Sequence, residues 1–172
     1  MKKLLLILLM CFALPNMAGA MKNEPDGFRG IKFGSHFDLV KNEMKLYVDA
    51  GDLPQRFYHR KNDKLVMNNA VIEFIDYGYY KNQFYDVGIG LWGLENCQKF
   101  FASIKNSYGN PDSTEKTKEG GQRFKWSGKN VRIDMIFTPP MQGFPDTARV
   151  QLLMAYTPIE NEIIELRAQM KK

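Results

Sequence analysis

Residues 71–92 read VIEFIDYGYYKNQFYDVGIGLW and form the most aromatic part of the chain. β-Branched and aromatic residues fill both halves of this segment, as a pleated surface favours. Lys81 and Asn82 lie between the halves, where a tight turn would join two strands. The segment therefore predicts a long β-hairpin. With a turn of two or four residues, Tyr79 faces Phe84 across it.

This pairing divides the hairpin into two faces, because neighbouring side chains in a strand point to opposite sides. One predicted face is apolar and should lie on the core: Ile72, Phe74, Tyr85, Val87, Ile89 and Leu91. The other is aromatic and acidic: Glu73, Ile75, Tyr77, Tyr79, Phe84, Asp86 and Trp92, with Gly88 and Gly90 between them. A three-residue turn would change this division.

The second face has two interpretations. A helix or another sheet covers it, with the glycines allowing close approach, or it is an exposed platform for a ligand. Aromatic side chains are enriched in binding surfaces. The binding residues predicted from this pattern are Tyr77, Tyr79, Phe84, Asp86 and Trp92.

The first twenty residues have the pattern of a bacterial Sec signal peptide. Lys2 and Lys3 precede an apolar run at 4–14 that is too short to span a bilayer. Small residues at 18–20 predict cleavage after Ala20, leaving residues 21–172 as a single exported, periplasmic domain. Processing as a lipoprotein at Cys11 is the alternative, although the residues before Cys11 are larger than that signal requires.

Composition excludes several classes of protein. Without the leader the formal net charge falls from +5 to +3. Basic and acidic residues are interspersed without a stripe of Lys and Arg, so nucleic-acid binding is not expected. No later segment has the roughly 20 apolar residues of a membrane span. Only Cys97 would remain after cleavage, so an intramolecular disulfide is not expected.

The rest of the chain alternates helical and strand patterns. Helices are predicted from Ser35 to about residue 44, at 95–108 and from Thr157 to the C terminus. A second hairpin is predicted at 122–137, with Phe124 and Trp126 inward. The predicted fold class is α+β. The sheet is predicted to be largely antiparallel and to contain two long hairpins plus extra strands. About three helices are predicted to pack on one side of it, and the chain would form two similar helix–hairpin modules.

Several short motifs resemble those of small exported bacterial proteins of unknown function. They are the runs DGFRGI at 26–31, RKNDKL at 60–65, YGYYK at 77–81 and YGNP at 108–111, followed by Trp126. The resemblance implies an exported α+β protein and carries over no catalytic residue. A helix followed by antiparallel strands is also similar in architecture to periplasmic assembly and inhibitor modules, a similarity that does not fix function.

Catalytic patterns are scarce. The chain has two histidines, His36 and His59, without metal-ligand spacing, and it has no phosphate-binding glycine loop, so neither a metal nor a cofactor is expected. The predicted function is a non-enzymatic binding or accessory module of the cell envelope, with an envelope protein or glycan as partner. The alternative is a small envelope hydrolase that uses Glu73 and Asp86 as acid and base, or Cys97 as nucleophile.

Overall fold

The computed structural model describes residues 21–51 and 53–171, and the predicted leader lies outside these residues. Within the described ranges, no helix combines the length and apolar character needed to cross a membrane. Two α-helices and an eight-stranded sheet make up most of the fold. The helices are α1 (Leu94–Tyr108) and α2 (Thr157–Met170).

Twelve strands occur in the described chain. Four of them form two small hairpins: β1 (Gly27–Phe28) with β2 (Ile31–Lys32), and β5 (Val66–Met67) with β6 (Ala70–Val71). The other eight form the main sheet: β3 (Met44–Asp49), β4 (Gln55–Arg60), β7 (Phe74–Tyr80), β8 (Gln83–Trp92), β9 (Ser113–Lys116), β10 (Gln122–Ser127), β11 (Val131–Thr138) and β12 (Arg149–Tyr156).

The main sheet is antiparallel throughout, in the order β3-β4-β7-β8-β12-β11-β10-β9. Each half of the chain therefore contributes four strands. In each half, the first of these strands in the sequence lies at an outer edge of the sheet and the last lies at its centre. The halves join where β8 pairs with β12. An α-helix precedes the second half, whereas two short 3-10 turns precede the first.

A β-bulge decides which side chains of the first hairpin are buried. Tyr79 pairs with Phe84 as predicted, but Gly78 then pairs with Asp86, so Tyr85 is an extra residue in β8. One extra residue shifts all pairs beyond it by one. The predicted division of the hairpin is therefore wrong for β7 and for Phe84 and Tyr85, whereas the predicted alternation from Asp86 to Trp92 holds. Ile75, Tyr77, Tyr79 and Phe84 share a face with Val87, Ile89 and Leu91, which we call the front face.

The front face carries the main core. Helix α1 covers it with Cys97, Phe100 and Ile104, all buried. The N-terminal segment covers another part, and its Phe33 ring stacks on Phe84 with centroids 5.1 Å apart. The second hairpin has the predicted alternation, because Phe124 pairs with Met135 and Trp126 with Ile133. The remaining core residues of β12 on this face are Val150, Leu152 and Met154.

The described part of the chain has two α-helices, where about three were predicted. The segment predicted as a helix from Ser35 forms two 3-10 turns, at Phe37–Leu39 and Lys41–Glu43. The backbone N–H of Phe37 donates to the Asn82 carbonyl, so the hairpin turn satisfies a group that a helix would leave for solvent or a cap. The hydroxyl of Ser35 donates to the Lys32 carbonyl instead of capping a helix.

Helix α2 packs on the opposite face of the sheet, which we call the back face. Its Ile159 and Ile163 are buried against Tyr80 and Tyr85. The two helices therefore lie on opposite faces, and the prediction that the helices share one side is wrong. Helix α2 covers only the end of the back face near Tyr80 and Tyr85, and no other described segment covers the middle of that face.

The N-terminal segment is fastened to the second hairpin by Glu24. Its carboxylate accepts backbone N–H groups of Lys129, Asn130 and Val131 at 2.5–2.8 Å. Gly128 leaves the room that this approach needs, because a Cβ there would collide with the Glu24 side chain. Burial opposes ionisation of Glu24, but the three backbone donors outweigh it and lower its pKa.

A candidate binding groove on the back face

Three of the predicted binding residues lie in the core. Tyr77, Tyr79 and Phe84 are at most 2% exposed on the front face, beneath the N-terminal segment. The Phe37 ring meets Tyr79 edge to face at 5.1 Å, and Phe28 lies 5.9 Å from Tyr77. A ligand has no access to these three rings in this fold, so the interpretation of a covered aromatic face describes them.

Asp86, the fourth predicted residue, is buried on the back face near the start of α2. It pairs with Gly78 on one side and Ala155 on the other. Burial raises the pKa of Asp86 to about 7; its hydrogen bond with Tyr85 lowers the pKa, and the charges of Glu160 and Asp76 raise it. Its carboxyl group is therefore part of the packing under α2 rather than of an open surface.

Trp92, the fifth, is exposed at the end of β8, with 48% of its surface accessible. The guanidinium carbon of Arg149 lies 5.9 Å from its ring centroid, within the range of a cation–π contact. Trp92 lies on the back face, because it pairs with Arg149 and the next residue, Val150, is buried on the front face.

The residues of the predicted hydrolase do not form a catalytic pair. Cys97 is buried, and burial raises the pKa of its thiol to about 11, which leaves little nucleophilic thiolate. The backbone N–H of Glu73 donates to Gly90, four residues along β8 from Asp86. That spacing is about 14 Å along a strand, whereas glycosidase carboxyl groups lie roughly 5–10 Å apart.

The uncovered middle of the back face forms a groove of about 570 Å³. We call it the central groove. Its side chains come from β7, β10, β11 and β12, with a glycine of β8 in the middle: Phe74, Asp76, Gly88, Arg123, Arg132, Asp134, Ile136, Gln151 and Leu153. Both halves of the chain therefore contribute to it.

Strand β8 forms the floor of the groove at Gly88, which has no side chain. Gly88 pairs with Asp76 on β7 and with Leu153 on β12, so a position without a side chain lies between two larger residues. A Cβ at Gly88 would have its nearest neighbour at 3.6 Å, which is ordinary contact. The space above Gly88 is therefore free. At Gly90 the ring of Phe74 occupies the corresponding space.

Ion pairs line one wall, and a His–Asp contact lines the other. Arg132 donates through Nε to Glu160 at 2.6 Å and also pairs with Asp134, which ties the groove wall to α2. Arg123 lies 3.7 Å from Asp134 without a hydrogen bond. On the other wall, His59 Nε2 lies 2.7 Å from Asp76 Oδ1.

Further aromatic surface adjoins the wall that carries His59. The Tyr47 ring stacks on His59 with centroids 4.3 Å apart, and Tyr47 is 60% exposed. The groove therefore combines planar charged groups, aromatic rings and a free hollow. Among the described residues, no group of three or more His, Cys, Asp or Glu is placed to hold a metal ion.

Sequence reasoning placed some groove residues on the right side without recognising the site. The alternation of the second hairpin turns Arg123, Arg132 and Asp134 away from the inward Phe124 and Trp126 and so onto the back face. Their proximity to Gly88 depends on the pairing of β8 with β12, which joins residues that are 57–69 positions apart in the sequence. No local pattern in either hairpin carries that information.

Comparison of the chain with family models, with curated proteins and with solved structures gives no match. The resemblance to small exported bacterial proteins therefore stays a prediction.

Proposed function

We propose that this protein is an exported, non-enzymatic binding module of the cell envelope, and that it holds a protein partner in the central groove. The observation that carries the proposal is the uncovered hollow above Gly88, between the Phe74–Asp76 wall and the wall formed by Leu153, Asp134 and Arg132. A part of the partner that protrudes, such as a loop, would fill this hollow.

The composition of the back face supports a protein partner. Aromatic residues and arginine are enriched in protein interfaces and contribute most of their binding energy. The groove and its surroundings offer Tyr47, Phe74 and Trp92 together with Arg123 and Arg149. Because the groove is formed by paired strands, its backbone is held in place before binding, which lowers the entropic cost of association.

The proposed hydrolase activity has less support. Its nucleophile candidate is buried with a raised pKa, and its carboxylate candidates are separated along β8. The aromatic and planar polar groups of the groove would also suit an envelope glycan. Crosslinking can distinguish a glycan from a protein partner.

The test is site-specific photo-crosslinking from Gln151, an exposed residue of the groove, in the exported protein within cells. The crosslinked species is identified by mass spectrometry. The blocking variant is Gly88→Phe, which fills the hollow, and its matched control is Gly88→Ala, which adds one methyl group in ordinary contact. A crosslinker at Lys64, an exposed residue outside the groove, reports non-specific capture.

The proposal expects one protein to be captured from Gln151, retained with Gly88→Ala, lost with Gly88→Phe and absent from the Lys64 sample. Capture of a glycan with the same pattern would replace the protein partner by a glycan. Capture that is equal in all samples, or that survives Gly88→Phe in a folded protein, would contradict a binding role of the groove.

A further inference from the structure

The front face contains a second opening that is separate from the central groove. Helix α1 covers β8 and β12, and beyond its edge lies a pocket of about 210 Å³ between α1 and strands β10–β12. We call it the phenylalanine pocket. Its lining consists of Leu94, Cys97, Gln98, Phe101, Gln122, Phe124, Met135, Phe137 and Val150.

The chemistry of the lining is almost wholly apolar. Three phenylalanine rings, all half-buried, form its walls, and Phe101 lies 4.7 Å from Phe124 between ring centroids. No lining residue carries a charge, and the only polar side chains besides the buried Cys97 are the two glutamines, Gln98 and Gln122, which are exposed. Such a pocket accepts hydrocarbon and excludes a buried charge, because burying an unpaired charge is costly.

The volume sets the size of the group that fits. A dry apolar cavity of about 150 Å³ holds one benzene ring, so about 210 Å³ corresponds to roughly eight carbon atoms. That is the length of a short acyl chain or of the end of a longer one. The pocket is open to solvent on one side, which leaves room for the rest of such a molecule outside.

Two lysines lie beside this pocket. Lys105 follows Phe101 by one helical turn, and its ammonium group lies 5.8 Å from the Phe101 ring centroid. Lys116 pairs with Gln122 across β9 and β10, so both side chains lie on the front face. Within residues 21–51 and 53–171, neither ammonium group has a carboxylate within 4.0 Å, and both side chains are exposed. An apolar pocket flanked by unpaired cations is complementary to an anionic amphiphile.

We propose that the phenylalanine pocket binds the acyl chain of an anionic amphiphile, with the head group against Lys105 and Lys116. A free fatty acid and an anionic phospholipid share this chemistry. The site is independent of the central groove, because the two lie on opposite faces of the sheet.

The test is a titration of the mature protein, labelled at its methionine methyl groups, with sodium octanoate, followed by NMR. Met135 lines the pocket, whereas Met154 lies in the same core outside it and serves as the internal reference. A saturable shift of the Met135 methyl signal with little change at Met154 is expected. Gln98→Trp, at an exposed position of the pocket rim, should abolish the shift without unfolding the protein.

The head-group contribution is tested with a charge variant and a neutral ligand. Lys105→Glu combined with Lys116→Glu should weaken octanoate binding roughly three- to tenfold, as expected for exposed ion pairs, and should leave the binding of 1-octanol unchanged. Lys45→Glu, the same charge change at an exposed position of β3, the edge strand opposite β9, should change neither. If neither octanoate nor octanol shifts Met135 in the folded protein, or if Gln98→Trp binds both as well as wild type, the proposal is overturned.

Vesicles distinguish the two sources of the chain. Sedimentation with vesicles of phosphatidylglycerol and phosphatidylcholine, lost in Gln98→Trp, assigns the pocket to a phospholipid. Binding of octanoate without such sedimentation assigns it to free fatty acids.

Discussion

Two tyrosine hydroxyls on β7 differ in their hydrogen bonding. Tyr77 donates to Asp63 Oδ2 at 2.6 Å, whereas the buried Tyr79 hydroxyl has no hydrogen-bond partner among the described residues. Loss of a buried hydrogen bond to a carboxylate destabilises a protein, while removal of an unsatisfied hydroxyl does not. The same Tyr→Phe change should therefore have different effects at two positions of one face.

We expect Tyr77→Phe to lower the free energy of unfolding by about 1–2 kcal/mol and Tyr79→Phe to leave it within about 0.5 kcal/mol of wild type or to raise it. Urea unfolding followed by tryptophan fluorescence measures both. Each variant is the control for the other, since both rings are buried on the front face. Equal losses for the two variants would show that the Tyr79 hydroxyl has a partner.

Asp86 makes stability depend on pH in the direction opposite to most carboxylates. Because its pKa in the folded state is about 7, the folded protein keeps a proton that the unfolded chain loses above about pH 4. Its contribution to stability is complete below pH 4 and is lost as the pH rises to 7. Asparagine has nearly the shape of the protonated side chain and does not ionise.

Asp86→Asn should therefore gain stability relative to wild type by roughly 2–3 kcal/mol between pH 5 and pH 8. The measurement is urea unfolding of both proteins at each pH. Taking the difference between the two proteins cancels the titration of other groups, such as Glu24, whose pKa is lowered. A difference that is the same at both pH values would mean that Asp86 is ionised normally.

At the scale of the element, the first hairpin depends on glycines with different surroundings. A Cβ at Gly78 would collide with the Asp86 carboxyl group, whereas one at Gly88 would meet Asp76 at 3.6 Å. Both glycines lie on the back face and neither needs a positive φ angle. The two positions therefore differ in whether they have room for a side chain.

We expect Gly78→Ala to destabilise the protein by roughly 1–3 kcal/mol, because a buried carboxyl group must move, and Gly88→Ala to change stability by less than about 0.5 kcal/mol. Thermal unfolding of the two variants at one pH compares them directly. A large loss with Gly88→Ala would show that the hollow above it is filled by the protein itself.

The same hairpin shows how far local pattern extends. Aromatic and β-branched residues with a turn at Lys81–Asn82 suffice to predict the strands and the Tyr79–Phe84 pair. The bulge at Tyr85 has no comparable signal, since Tyr, Asp and Val are all compatible with a regular strand. One inserted residue exchanges the faces, and it moves Tyr77 and Tyr79 into the same core as Val87 and Ile89.

Helix prediction succeeded where the pattern was long and failed where it was short. Helix α1 and helix α2 agree closely with their predicted bounds. The helix predicted after Ser35 spans fewer turns than α1 or α2. In the structure the Phe37 ring packs against the Tyr58 ring, with centroids 4.5 Å apart. A tertiary contact of this kind outweighs a local capping preference, because short helices are marginal by themselves.

At the scale of the whole molecule, the candidate site results from the joining of two halves. Gly88 and Asp76 come from the first half, whereas Leu153, Asp134 and Arg132 come from the second. Their neighbourhood is set by the pairing of β8 with β12, and α2 covers one end of the same face. Sequence predicts each hairpin, but the site exists only after this long-range pairing has formed.

We propose that in the cell a partner occupies the central groove of the back face, whereas the aromatic rings of Tyr77, Tyr79 and Phe84 belong to the core. The most direct measurement is the alkylation rate of Gly88→Cys in intact cells and in the purified protein. Ile89→Cys, the next residue on the buried face, is the unreactive reference, and Lys64→Cys is the exposed one. We predict that Gly88→Cys reacts readily when purified and slowly in cells, while Lys64→Cys reacts similarly in both. Equal rates for Gly88→Cys in cells and in isolation would contradict the claim.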